Sequence, residues 1–228
     1  MKTLNAKQRA GFKAVEYIED GMCVGLGTGS TAFWMVERLG ERVREGLQVR
    51  GVPTSRRTEE QARQLGIPLV TFAEVQRLDL AIDGADEIGP GLALIKGGGG
   101  ALLREKLVAA AARRFIVVAD AGKKVEVLGH FPLPVEVVPF AWEVTAGRVA
   151  SVTEVEPVLR RAEGDDVYVT DNGNYILDCR CVEIRDPERT ERELKTLTGV
   201  VECGLFVGMA DLAVVATDED VEVIERQK

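Results

Sequence analysis

The residue with the most to say about chemistry is Glu105. Lys96 opens a run of four glycines, Gly97–Gly100, which leads into a strong helical pattern over 100–114. At about 100° per residue, Glu105 falls among Ala101, Val108, Ala109 and Ala112. A carboxylate in so small and apolar a sector loses water, which raises its pKa toward the ~6–7 that suits a general base. The ordinary alternative is a helix-start glutamate stabilised by the macrodipole. Arg104 and Lys106 flank it in sequence but belong to other helix faces. The glycines are costly to order. They make sense where backbone approaches a ligand or where N–H groups of the Gly97–Gly100 loop form an oxyanion cradle beside the charge of Lys96.

Three more segments carry polar groups after apolar strands. Gly25-Leu26-Gly27-Thr28-Gly29-Ser30-Thr31 joins a strand to a helix. It fails the dinucleotide fingerprint, because Ser30 stands where a third glycine belongs and the next strand ends Val52-Pro53-Thr54 without an acid. It also lacks the Gly-Lys of a Walker A loop. Hydroxyls and N–H groups at a helix start remain, and they suit one phosphate monoester. A plain glycine turn capped by Ser30 or Thr31 is the competing reading. Asp83-Gly84-Ala85-Asp86-Glu87 places three acids at a strand end, fit for sugar hydroxyls, proton shuttling or Mg²⁺, though Mg²⁺ usually also takes a polyphosphate. Asp120-Ala121-Gly122-Lys123-Lys124 offers Lys123 at another strand end.

These segments need a scaffold. Helical patterns at 7–19, 30–46, 54–65 and 100–114 alternate with apolar strands at 22–26, 48–52, 78–82, 92–95 and 115–119. The alternation predicts an α/β fold, a doubly wound and mostly parallel sheet. Ligands of such sheets bind beyond the carboxyl ends of the strands, so the four segments are expected to meet there. The pattern changes near Gly129. A strand at 135–138, helix at 142–161, strands at 167–170 and 175–178, helix at 187–197 and strand at 200–203 spell β-α-β-β-α-β, the ferredoxin-like unit. The chain therefore divides into a discontinuous Rossmann-like domain, 1–129 and 206–228, and an inserted ferredoxin-like domain, 130–205. The apolar strand at 212–217 returns to the first sheet.

Composition narrows the function. Lysine and arginine number 29 against 37 acids, a net charge of −8, which argues against nucleic acid. No apolar run is long enough to cross a membrane. The stretch Met1–Lys7 has no apolar leader and no cleavage site, so a cytoplasmic protein is expected. Four cysteines lack a CxxC spacing and read as core thiols, and the one histidine, His130, stands apart from any metal-ligand cluster.

In this order, GTGST, DGADE, KGGGG-x4-EK and D-x-GK closely resemble the motifs of the type A ribose-5-phosphate isomerase family, and the likeness runs over essentially the whole chain. The resemblance implies interconversion of D-ribose 5-phosphate and D-ribulose 5-phosphate in the pentose phosphate pathway, without a cofactor or metal, by a homodimer or homotetramer. It implies that Thr28, Gly29, Ser30, Thr31, Lys96, Gly97, Gly98, Gly99 and Lys123 bind substrate. Asp83, Gly84, Ala85 and Asp86 would hold the sugar, with Asp83 or Asp86 assisting ring opening, and Glu105 would be the proton acceptor. Two alternatives stand beside it: a sugar-phosphate sensor without turnover, and a CoA transferase using Glu105 as nucleophile.

Overall fold

The computed structural model describes residues 4–227. Met1–Thr3, part of the stretch read above for a leader, lie outside them. In chain order the elements are α1 (Ala6–Val15), β1 (Cys23–Leu26), α2 (Ala32–Arg44), β2 (Arg50–Pro53), α3 (Arg56–Gln64), β3 (Leu80–Gly84), β4 (Glu87–Ile88), β5 (Leu94–Ile95), α4 (Leu102–Ala111) and β6 (Phe115–Asp120). Then come β7 (Leu133–Val137), α5 (Trp142–Thr153), β8 (Val158–Leu159), β9 (Tyr175–Cys179), α6 (Pro187–Lys195) and β10 (Val200–Cys203). The chain closes with β11 (Leu205–Phe206), β12 (Leu212–Ala216) and β13 (Val221–Glu225).

The chain forms two compact units. The first comprises the described residues up to Ala85, Arg104–Lys123 and those from Met209 on. Its sheet has the order β13-β12-β6-β3-β1-β2, parallel throughout except for the edge strand β13. β1, β6 and β12 are apolar over nearly their whole length because helices cover both faces. Val24, Leu26, Leu80, Ile82, Ile116 and Val118 pack with Ala14 and Ile18 near α1 and with Met35 and Leu39 of α2. Strand alternation turns Gly25 and Ala81 to the opposite face, where α4 lies: a side chain at Gly25 would collide with Val108. β2 and β3 flank β1 on either side, so the chain order reverses there. That is the topological switch point, the usual ligand crevice of such sheets.

The second unit takes 86–103 and 124–208. Its larger sheet has the order β10-β7-β9-β8, antiparallel at every pairing, with α5 and α6 as crossovers. This is the split β-α-β order of a ferredoxin-like unit. A small sheet, β11-β5-β4, completes the unit. One stretch differs from the expected pattern. The helix predicted over 142–161 stops at Thr153, where Glu154 turns left-handed and Pro157 forbids resumption. The strand of that region is β8, whereas 167–170 makes only a bridge, Val167 to Arg161. Here Thr170 and Asn174 close a turn instead. All four cysteines are free thiols, as expected, and burial pushes Cys181 up to about 11.

Candidate active site

The parallel sheet delivers three of the four motif segments to one edge of the first unit. β1, β3 and β6 are neighbours, and their carboxyl ends run into Gly27-Thr28, Asp83-Gly84 and Asp120 through Lys123. The first two segments are joined directly. One carboxylate oxygen of Asp83 accepts from the Thr28 N–H at 2.9 Å and from its neighbour Gly84 at 2.7 Å. Asp83 is only 3% exposed, and Gly27 is glycine because any side chain there would overlap the Asp83 backbone and carboxyl.

Thr28 turns its hydroxyl into a knot with Thr54 (2.7 Å), Ser55 (2.8 Å) and Thr58 (3.0 Å). Thr54 and Thr58 in turn donate to the carbonyls of Leu26 and Gly27. Both polar handles of Thr28 thus shape the loop. Ser30 is exposed and accepts from Lys7 Nζ at 2.9 Å. Thr31 is buried and its side chain makes no capping bond to α2. The first-turn N–H groups of α2 are therefore not closed by a side-chain cap, and Lys7 adds positive charge beside them.

Glu105 lies on α4 and is 4% exposed. It lines one small cavity with Gly25, Gly27, Thr54, Ala81, Asp83, Val108 and Ala109, a space too narrow for a water molecule. The apolar sector expected from helical spacing is present in Val108 and Ala109, and Asp83 is its polar neighbour. Lys106 is buried as well, whereas Arg104 faces a different surface groove with Leu107. Lys123 is half-buried at the end of the turn after β6.

The remaining motif belongs to the second unit. Lys96 is 2% exposed, and its ammonium lies over the Phe206 ring at 5.4 Å. Its N–H donates to the Gly204 carbonyl. Gly97 and Gly100 take left-handed φ values of 97° and 79°, which only glycine adopts cheaply. Gly98 and Gly99 are exposed. Not every amide of the loop faces outward: Gly98 donates to Asp86 at 2.7 Å and Gly100 to the Gly97 carbonyl at 2.9 Å. The acids of the Asp83–Glu87 run thus part company. Asp83 serves Thr28, Asp86 serves Gly98, and Glu87 accepts from Gly129 and Phe131.

Residues 50–220 match the family described as ribose 5-phosphate isomerase A (phosphoriboisomerase A). The chain belongs to the ribose 5-phosphate isomerase A family. The ribose-5-phosphate isomerase A of Synechococcus sp. (strain JA-3-3Ab) is 55% identical over 223 residues, 96% of either chain. That of Bacillus cereus (strain ATCC 10987 / NRS 248) is 51% identical over 220 residues, 96% of this chain and 99% of its own. A solved D-ribose-5-phosphate isomerase in complex with phospho-erythronic acid superposes with a TM-score of 0.93 at 40% identity, covering 98% of this chain and 100% of that one. The chain is accordingly an isomerase acting on ribose 5-phosphate, and the sensor and CoA-transferase alternatives are set aside.

Some contributors to the ribose 5-phosphate isomerase A loops were invisible to motif reading. Lys7 reaches Ser30 from a helix far back in the chain. Thr58 joins the knot around Thr28 from α3. Arg160 and Tyr168 touch the glycine run from far along the chain within the same second unit. No local signal marks them, since each acts across a long stretch of chain. Ser55 has a local role as well, capping α3 by accepting from the Thr58 N–H.

Proposed function

We propose that Glu105 is the base that carries the proton between the two carbons of the open-chain sugar. Its carboxylate takes the hydrogen from C2 of ribose 5-phosphate. The electron pair moves into a C1–C2 double bond, and the aldehyde oxygen becomes an enediolate oxygen. Glu105 then returns the proton to C1, while the C2 hydroxyl passes its proton to the C1 oxygen and becomes the ketone of ribulose 5-phosphate. The observation that carries this reading is a carboxylate 4% exposed, on an apolar wall beside Asp83 at the switch point of the sheet. Excluding water strengthens a carboxylate as a base.

The phosphate is assigned to the start of α2, with Gly29, Ser30 and Thr31 as donors and Lys7 and Lys123 as counter-charges. Thr28 holds that loop in shape. Asp83, Gly84, Ala85 and Asp86 are assigned to the sugar, with one of the two aspartates helping the ring to open. Lys96, Gly97, Gly98 and Gly99 are assigned to the enediolate oxygen on the strength of the family motif. The N–H groups of Gly97 and Gly99 are the donors, because those of Gly98 and Gly100 are engaged. Phosphate binding far from the reacting carbons positions them.

Glu105→Gln is expected to lower kcat about 10²–10⁴-fold, read as ketulose formed from ribose 5-phosphate. Near-normal turnover removes Glu105 from the role. Phospho-erythronic acid, carrying a phosphate and a carboxylate, is expected to compete with the substrate. The enzyme is further assigned to the cytoplasm, and no described helix is long and apolar enough to cross a membrane. A homodimer or homotetramer is supported by exposed apolar side chains such as Leu107 and Phe140, and light scattering in solution reads it directly.

A further inference from the structure

Within the second unit the glycine run is held by a charged clamp. Arg160 Nη1 donates to the Gly97 carbonyl at 3.0 Å and to the Gly98 carbonyl at 3.1 Å. The rest of the guanidinium is held by Asp178, Nε at 2.8 Å and Nη2 at 2.5 Å, one bond to each carboxylate oxygen. This fork is well shielded, with the arginine side chain 13% exposed, so its geometry is stiff. Tyr168 lies under the guanidinium at 5.8 Å and donates to the Gly99 carbonyl at 3.3 Å. Three consecutive carbonyls of an otherwise floppy glycine run are therefore pulled toward one side.

The consequence follows from peptide planarity. No peptide bond here is cis, and in a trans peptide the N–H points opposite to the C=O. Holding the Gly97 and Gly98 carbonyls on Arg160 sends the N–H groups of Gly98 and Gly99 to the other side. Gly98 meets Asp86 there. A cation on the carbonyl also polarises the peptide and makes its N–H a stronger donor.

We propose that Arg160, braced by Asp178, is a positioning residue of the isomerisation: it fixes and polarises the 98–99 peptide so that the Gly99 N–H meets the enediolate oxygen. The proposal rests on the reading of the glycine run as the oxyanion cradle. Arg160 itself touches no reacting atom. Its effect appears in the transition state, where charge develops, more than in substrate binding.

The test compares four variants by steady-state kinetics and thermal melting. Arg160→Gln is expected to lower kcat about 10²-fold, the cost of a misplaced donor, with KM for ribose 5-phosphate changed less than about twofold. Arg160→Lys keeps a cation without the fork and is expected to recover part of the loss. Asp178→Asn leaves Arg160 in place and unbraced, with a smaller fall in kcat in the same direction; it serves if Arg160→Gln does not fold. A rise in KM at constant kcat, or kcat losses that only follow the melting temperature, overturns the proposal. Gly98→Ala separates this from the underlying reading, because its Cβ meets Asp86 at 2.7 Å and Phe131 at 2.8 Å and displaces the run. If Gly98→Ala turns over normally, the cradle reading fails. If Gly98→Ala is slow while Arg160→Gln is normal, the cradle stands and the role of Arg160 falls.

Discussion

The Gly25–Thr31 loop of the first unit and the Lys96–Gly100 loop of the second each surrender one amide to an acid of the same short run, Thr28 to Asp83 and Gly98 to Asp86. They differ on the carbonyl side. The first loop has hydroxyls there: Thr54 and Thr58 take the carbonyls of Leu26 and Gly27. The second has a guanidinium and a phenol. Neutral hydroxyls hold a loop still without adding a buried charge, which suits a loop assigned to a permanent dianion that has cationic lysines of its own. A guanidinium on the carbonyls raises the donor strength of the amides, which suits a loop assigned to charge that appears only during reaction.

The contrast is broken most severely by Gly27→Ala. The added carbon overlaps Asp83, and overpacking of this kind costs ~1–3 kcal/mol or more. A large fall in melting temperature with loss of activity is expected, and a stable active variant would show that the two strand ends are not locked. Thr28→Val comes next. It strips the centre from the hydroxyl knot while Thr54 and Thr58 keep their bonds to the carbonyls of Leu26 and Gly27, and the lost hydrogen bonds cost about 1–3 kcal/mol by denaturant titration. Lys123→Ala is expected to raise KM about tenfold with kcat nearly unchanged, as for a group that binds ground and transition states alike; an unchanged KM removes it from the site. Tyr168→Phe deletes one long bond to Gly99 and is expected to cost well under ~1 kcal/mol of stability, with a kcat loss smaller than that of Arg160→Gln. The smallest effect is expected from EDTA. Asp83, Asp86 and Glu87 already serve backbone amides, so chelation should leave turnover intact, and a loss restored by Mg²⁺ would revive a metal role for the run.

Much of this was legible beforehand. Apolar strands such as Phe115–Ala119 and Leu212–Ala216 are covered on both faces and announce a parallel sheet by composition alone. Glu105 stood out because helical spacing set it among small apolar residues. The strand at 158–159 was missed because helical periodicity continued past Thr153, and only Glu154 and Pro157 marked the stop. Strand β13 was missed because an edge strand, half exposed and rich in acids, lacks the apolar run.

Local order in the chain determined the element types, the four motif loops and the acid on α4, because those depend on periodicity, glycine content and neighbours a few residues away. The tertiary structure alone decided which donors are engaged. Whether an amide or hydroxyl is taken by Asp86, Thr58 or Arg160 depends on partners dozens of residues distant, and hydrogen bonding is a matter of ångströms that spacing along a chain does not encode.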